Sequence, residues 1–128
     1  MRILGIDYGR AKIGLSLAVS PIAEPLRVVR YNSIDELLEQ IQLIIDENDV
    51  QSIVVGVSEN EMEEESREFS KKLKNKFGLE VETSDETLSS YEAQQMAIAG
   101  GVPQKRRQEM EDAYAATIML QNYLDNKS

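Results

Sequence analysis

Three acidic features, in a 128-residue chain that has neither histidine nor cysteine, set the chemistry it can perform. Asp7 falls near the end of the apolar run Arg2–Tyr8, and Asp85 with Glu86 follows a second run, Leu79–Thr83. Asp112 lies in a helical segment, where at 100° per residue it shares a stripe with Ala115, Ala116, Met119 and Tyr123. A carboxylate in such a place costs several kcal/mol unless a cation or a hydrogen-bond donor receives it. The simplest receivers are local: a helix cap or Arg10 for Asp7, and Arg10 or Arg106 for Asp112. The productive alternative is a divalent cation shared between the carboxylates. An all-oxygen donor set suits Mg²⁺ or Mn²⁺, not zinc. Two such ions about 4 Å apart hold a scissile phosphate and activate water for in-line hydrolysis. That chemistry needs no imidazole and no thiolate, whereas Ser–His triads, histidine metal sites and disulfide frameworks are excluded.

The charge balance bears on the partner. With 14 Lys and Arg against 23 Asp and Glu, the net charge is -9, which disfavours tight non-specific binding to nucleic acid. A local patch remains available. Lys105, Arg106 and Arg107, just before Asp112, form the densest basic cluster, and Arg10 lies in the turn beside Asp7. Such a patch steers a phosphate backbone toward the acids. Lys71, Lys72, Lys74 and Lys76 read as a solvated helix face, and the acidic run from Glu59 to Glu65 as a helix start favoured by the macrodipole. Glu59, at the end of the fourth strand, is a further possible metal ligand. Aromatic residues are few, so base stacking gets little support.

These groups must be placed by a fold, and the order of elements can be read from periodicity. Arg2–Tyr8 and Lys12–Val19 flank the tight turn Gly9–Ala11 as a hairpin. Pro21–Pro25 reads as a loop and Leu26–Tyr31 as a third strand, antiparallel to the second because the connections are too short for helical crossovers. Ser33 and Glu36 form a capping box opening a helix to about Asn48, with Ile34, Leu37, Leu38, Ile41, Ile44 and Ile45 on one face. Ser52–Val57 is a strand covered on both faces. A helix from about Glu61 to Phe77, stopped by Gly78, and a short strand at Leu79–Thr83 follow. Ser89 and Glu92 open another helix ending at Gly100 and Gly101, and Pro103 precedes a last one running to about Leu124. The pattern is βββαβαβαα, a single α/β domain over 1–128 with one mixed sheet. Ligands on such sheets sit beyond the carboxyl ends of the strands, where all three acidic features fall. No apolar run is long enough for a membrane span, and Met1 leads directly into a strand, so neither a membrane anchor nor a signal peptide is expected.

The segments GIDYGRAKIGLSLAV, IVVGV, SDETLSS and DAYAATIMLQNYL resemble, in order and spacing, the motifs of the YqgF family, also called RuvX. The resemblance spans nearly the whole chain. It implies an RNase H-like fold, a five-stranded mixed sheet of order 3-2-1-4-5 flanked by helices. It also implies a cytoplasmic, metal-dependent nuclease that processes the 5′ end of pre-16S ribosomal RNA, or resolves branched DNA of the Holliday-junction kind, as a monomer or homodimer. The family's acidic positions fall on Asp7, Glu86 and Asp112. Two departures add negative charge or remove positive charge near them: Gly56-Val57-Ser58-Glu59-Asn60-Glu61-Met62-Glu63 stands where the family has Gly-Leu-Pro and a glycine-containing loop, and Thr87 stands where the family has arginine. A nucleotide-cradling ATPase with a similar opening hairpin would need a second domain of this kind. A catalytically silent RNA-binding module of the same fold is the other reading these departures allow.

Overall fold

The computed structural model describes residues 1–19, 21–57, 63–85 and 104–127. They form β1 (Arg2–Asp7), β2 (Lys12–Val19), β3 (Ile22–Arg30), α1 (Ile34–Asn48), β4 (Ser52–Val57), α2 (Glu63–Phe77), β5 (Glu80–Asp85) and α3 (Gln104–Lys127). The expected helix between Ser89 and Gly100 lies outside the described residues, as do Glu59, Glu86 and Thr87.

The strands make one sheet of order β3-β2-β1-β4-β5. β1 pairs antiparallel with β2 and parallel with β4, and β4 pairs parallel with β5. The opening hairpin is therefore central, as its apolar character on both faces requires.

One expectation needs correcting. β3 starts at Ile22, so the segment read as a loop, through Pro25, is strand. Proline lacks the donor a central ladder needs, but β3 is an edge strand. The register slips there, with Leu15 opposite Arg27 and Ser16 opposite Pro25, leaving Leu26 as the extra residue of a bulge.

The two faces of the sheet differ in kind. Leu4, Ile6, Ile13, Leu15, Ile53 and Val55 face α1 and α2, where Leu37, Ile41, Ile44, Phe69 and Leu73 complete a core of large side chains. The other face, Ile3, Ala18 and Val54, is covered by Met119 and Leu120 of α3. The local signals hold: Ser33 Oγ accepts from the Glu36 N–H at 3.2 Å, and Gly78 ends α2 with φ +67°.

α3 has apolar contacts around its whole middle, as expected of a buried helix. Residues 113–120 are all buried. Ala116, Met119 and Leu120 meet the sheet, whereas Tyr114, Ala115 and Ile118 form a separate cluster with Met110. Ala115 thus leaves the sheet-facing stripe on which periodicity placed it.

Candidate active site

Asp7 is the last residue of β1 and is half-buried. It lies directly opposite Gly14 of β2 and beside Gly56 of β4. Residues directly opposite in an antiparallel pair share a face. A side chain on Gly14 would run into the carbonyl oxygen of Asp112 and come within 2.7 Å of the Ala113 nitrogen. So Gly14 is the point where the backbone of α3 rests on the sheet, and Asp7 shares that face. Further along the same ledge the Ser16 hydroxyl donates to the Ala116 carbonyl at 3.0 Å, which fixes the height of the helix. Ala23 N–H donates to Gln121 Oε1 at 2.9 Å, and the Gln121 amide donates to Pro21 O at 3.0 Å, pinning the helix lengthwise. Small residues and backbone-directed hydrogen bonds therefore bring Asp112 to the end of β1.

Asp112 has a partner that the sequence reading missed. Lys12 Nζ lies 3.0 Å from Asp112 Oδ2, and both side chains are partly exposed. The local explanation for Asp112, an ion pair, holds in kind, and Lys12 provides it. The signal was available: Lys12 opens β2 two residues before Gly14, and alternation puts the two on one face.

Arg10 turns to the other side of the sheet. Its guanidinium forks onto Glu65 of α2, Nε to Oε2 at 3.2 Å and a terminal nitrogen to Oε1 at 3.0 Å. That pair fastens the turn after Asp7, and Tyr31 fastens it again. The Tyr31 hydroxyl donates to the Gly9 carbonyl, and its backbone N–H donates to Ala11 O at 3.1 Å. Burial pushes the Tyr31 phenol well above its ordinary range, reinforced by its hydrogen bond with Tyr8 and by the nearby Tyr8 and Glu65 charges. The ring of Tyr8 stacks on Phe69 with centroids 4.4 Å apart.

Of the residues singled out from sequence, Asp7 lies opposite Gly14 and the backbone of Asp112 lies against the same glycine. Glu86 lies outside the described residues. Lys105, Arg106 and Arg107 occupy the first turn of α3, upstream of Asp112, and their side chains are not among those described. Among the described residues no three acidic, histidine or cysteine side chains form a cation-binding group. The two carboxylates are hard oxygen donors in a chain without histidine or cysteine, which fits Mg²⁺ or Mn²⁺.

A family model described as Holliday junction resolvase, RuvX, matches residues 1–126. The chain belongs to the RuvX family. Relatives with the provisional name pre-16S rRNA nuclease include one from Lactococcus lactis subsp. cremoris, 37% identical over 97% of this chain and 94% of its own. Others come from Geobacillus sp., 36% identical over 99% of each chain, and Natranaerobius thermophilus, 32% identical over 99% and 96%. Among solved structures, T. thermophilus RuvC in complex with a Holliday junction substrate superposes with a TM-score of 0.65 at 17% identity, covering 99% of this chain and 95% of that one. The fowlpox virus resolvase in complex with Holliday junction DNA gives 0.63 at 9% identity, covering 99% of both. At such identities the likeness speaks for fold alone. The chain has the RNase H-like fold, a five-stranded sheet of order 3-2-1-4-5.

Proposed function

We propose that the chain is a divalent-metal-dependent phosphodiester hydrolase that trims the 5′ end of pre-16S rRNA in the cytoplasm, as monomer or homodimer. The observation that supports this reading is that Asp7 is opposite Gly14 and the Asp112 backbone lies against it, in a member of the RuvX family. The relatives' names favour RNA, and the RuvC and fowlpox neighbours, solved with Holliday junctions, make branched DNA the second substrate to try.

In this reading Asp7, Asp112 and Glu86 hold Mg²⁺ or Mn²⁺. When bound, the cation supplies a Lewis acid and a lowered pKa for the attacking water. The chain's own residues do the rest. The rigid strand end and the pinned helix keep the two carboxylates at fixed separation, so little reorganisation is needed on loading. Lys12 neutralises Asp112 before the cation arrives and then lies beside an incoming phosphate as a point charge. Lys105, Arg106 and Arg107 draw the phosphate backbone toward an otherwise acidic protein, while Arg10 is engaged by Glu65.

The test is cleavage of an RNA carrying the pre-16S 5′ leader, alongside a four-way DNA junction, in Mg²⁺, Mn²⁺ or EDTA. Metal-dependent cutting of the RNA is expected. A chain that binds both substrates and cuts neither with any metal would establish the silent binding module instead.

A further inference from the structure

On the α2 side of the β1 end there is a half-open hollow of about 120 Å³, lined by Tyr8, Ile34, Glu65, Glu68, Phe69 and Lys72. Its position matters first. Tyr8 follows Asp7 directly and its side chain takes the opposite face, so the hollow shares the end of β1 with Asp7 but opens on the other side of the sheet. The chain has five tyrosines and two phenylalanines, and Tyr8, Tyr31 and Phe69 gather at this strand end. Phe69 and Tyr31 are buried, so of the three rings Tyr8 is the one with a face open to the hollow.

The lining has two parts. Tyr8, Phe69 and Ile34 make an apolar wall, held rigid by the Tyr8–Phe69 stack and the hydrogen bond between the two tyrosines. Glu65, Glu68 and Lys72 make a polar rim along one stripe of α2. The volume is well below the roughly 300–1,000 Å³ of sites that enclose a whole small molecule. It suits one planar ring system with a polar edge. Phosphates are disfavoured inside by the two carboxylates.

We propose that this hollow is a nucleobase subsite taking an unpaired guanine of a strand that passes over the end of β1 from the acids on the other face, a proposal that rests on the nuclease reading above. Among the bases, guanine presents two adjacent donors, N1–H and N2–H, which a carboxylate accepts in a fork, and next to them the O6 acceptor, which suits an ammonium. Glu68 and Lys72 are one helical turn apart, i and i+4, and so provide that donor–acceptor complement on one face. Glu65 is already held by Arg10, so the fork fixes the rim and leaves Glu68 to read the base.

Two measurements test the proposal on the full chain. In EDTA, the affinities of two short RNAs differing only in one unpaired guanine or adenine are compared by fluorescence anisotropy. The guanine RNA should bind about fivefold tighter, and Glu68→Ala should erase the difference while retaining the adenine-RNA affinity. In parallel, guanosine and adenosine are titrated while the Tyr8 and Phe69 ring resonances are followed by NMR, and guanosine should shift them at lower concentration. Equal affinities, a preference unchanged in Glu68→Ala, or rings that respond to neither nucleoside would mean that this stripe is only a solvated helix face. Adenosine shifting the rings more strongly would also overturn the guanine assignment. Neither measurement involves cleavage. A guanine preference without metal-dependent cutting would therefore sink the nuclease reading and leave the subsite standing.

Discussion

The two faces of the sheet solve different problems. Toward α1 and α2, large aliphatic side chains fill space, with Leu37, Ile41, Ile44, Phe69 and Leu73 packed on Leu4, Ile6, Leu15 and Val55. Toward α3, the ledge carries Gly14, Ser16 and Ala18, and helix backbone rests on strand backbone. Filling volume gives cohesion and tolerates small shifts. Close backbone approach gives position and tolerates almost none. The proposed carboxylate site suits the second face, because such a site needs fixed distances more than it needs buried area.

Mutations on the two faces should therefore separate stability from chemistry. The largest loss of stability is expected for Ile41→Ala in the fully buried aliphatic face, about 2–5 kcal/mol by thermal or urea unfolding. The molecules that remain folded should cleave at the wild-type rate. Gly14→Ala adds one methyl group against the backbone of Asp112 and Ala113. Neither backbone can swing aside as a side chain would, so α3 must lift. The cost should be about 1–3 kcal/mol, smaller than for Ile41→Ala, yet cleavage should fall far more. If Gly14→Ala proved the more active of the two variants, the distinction between the faces would fail.

Tyr31 sharpens the comparison at the turn between them. Tyr31→Phe removes the hydroxyl that holds the Gly9 carbonyl, at about 0.5–1.5 kcal/mol. It should also change the alkaline limb. The folded phenol is raised above its ordinary value of 10.0, so the folded state keeps a proton that the unfolded state releases. Stability from this group is complete below that value and declines as pH rises above it. Unfolding midpoints from pH 9 to 11 should fall less steeply in the variant, and parallel curves would refute the assignment.

The smallest change in stability is expected for Lys12→Gln. Both members of the Lys12–Asp112 pair are partly exposed, and such pairs contribute about 0–1 kcal/mol. The informative readout is Mn²⁺ binding, followed by the rise in melting temperature with metal. Without the competing ammonium, the Mn²⁺ concentration giving half the effect should drop several-fold. An unchanged midpoint would remove Lys12 from the site.

Much of this was legible in the sequence, for physical reasons that also explain the rest. β1, β2 and β4 could be read because buried strands are apolar on both faces. α1 could be read from the Ser33–Glu36 capping box. Asp7 and Asp112 stood out because charge is costly in such surroundings. β3 was read too short because Pro25 signals a loop, and only an edge position with a bulge makes it strand. Ala115 was assigned to the wrong cluster because a helix buried all round has no periodicity to follow. Alternation puts Lys12 on the face of Gly14, but its pairing with Asp112 depends on where α3 crosses the sheet, which is not local. The gathering of Tyr8, Tyr31 and Phe69 was hidden for the same reason, since composition counts aromatics without saying where they meet.

The central claim is that the Gly14 ledge brings Asp7 and Asp112 together to hold a catalytic divalent cation. The most direct measurement is Mn²⁺-dependent cleavage of one pre-16S leader RNA by the wild type, Asp7→Asn and Asp112→Asn, with RNA affinity measured on each. The account predicts that both variants bind the RNA as tightly as the wild type, or more tightly for lack of a repelling charge, and that both cut at background. Either variant cutting at the wild-type rate would contradict it.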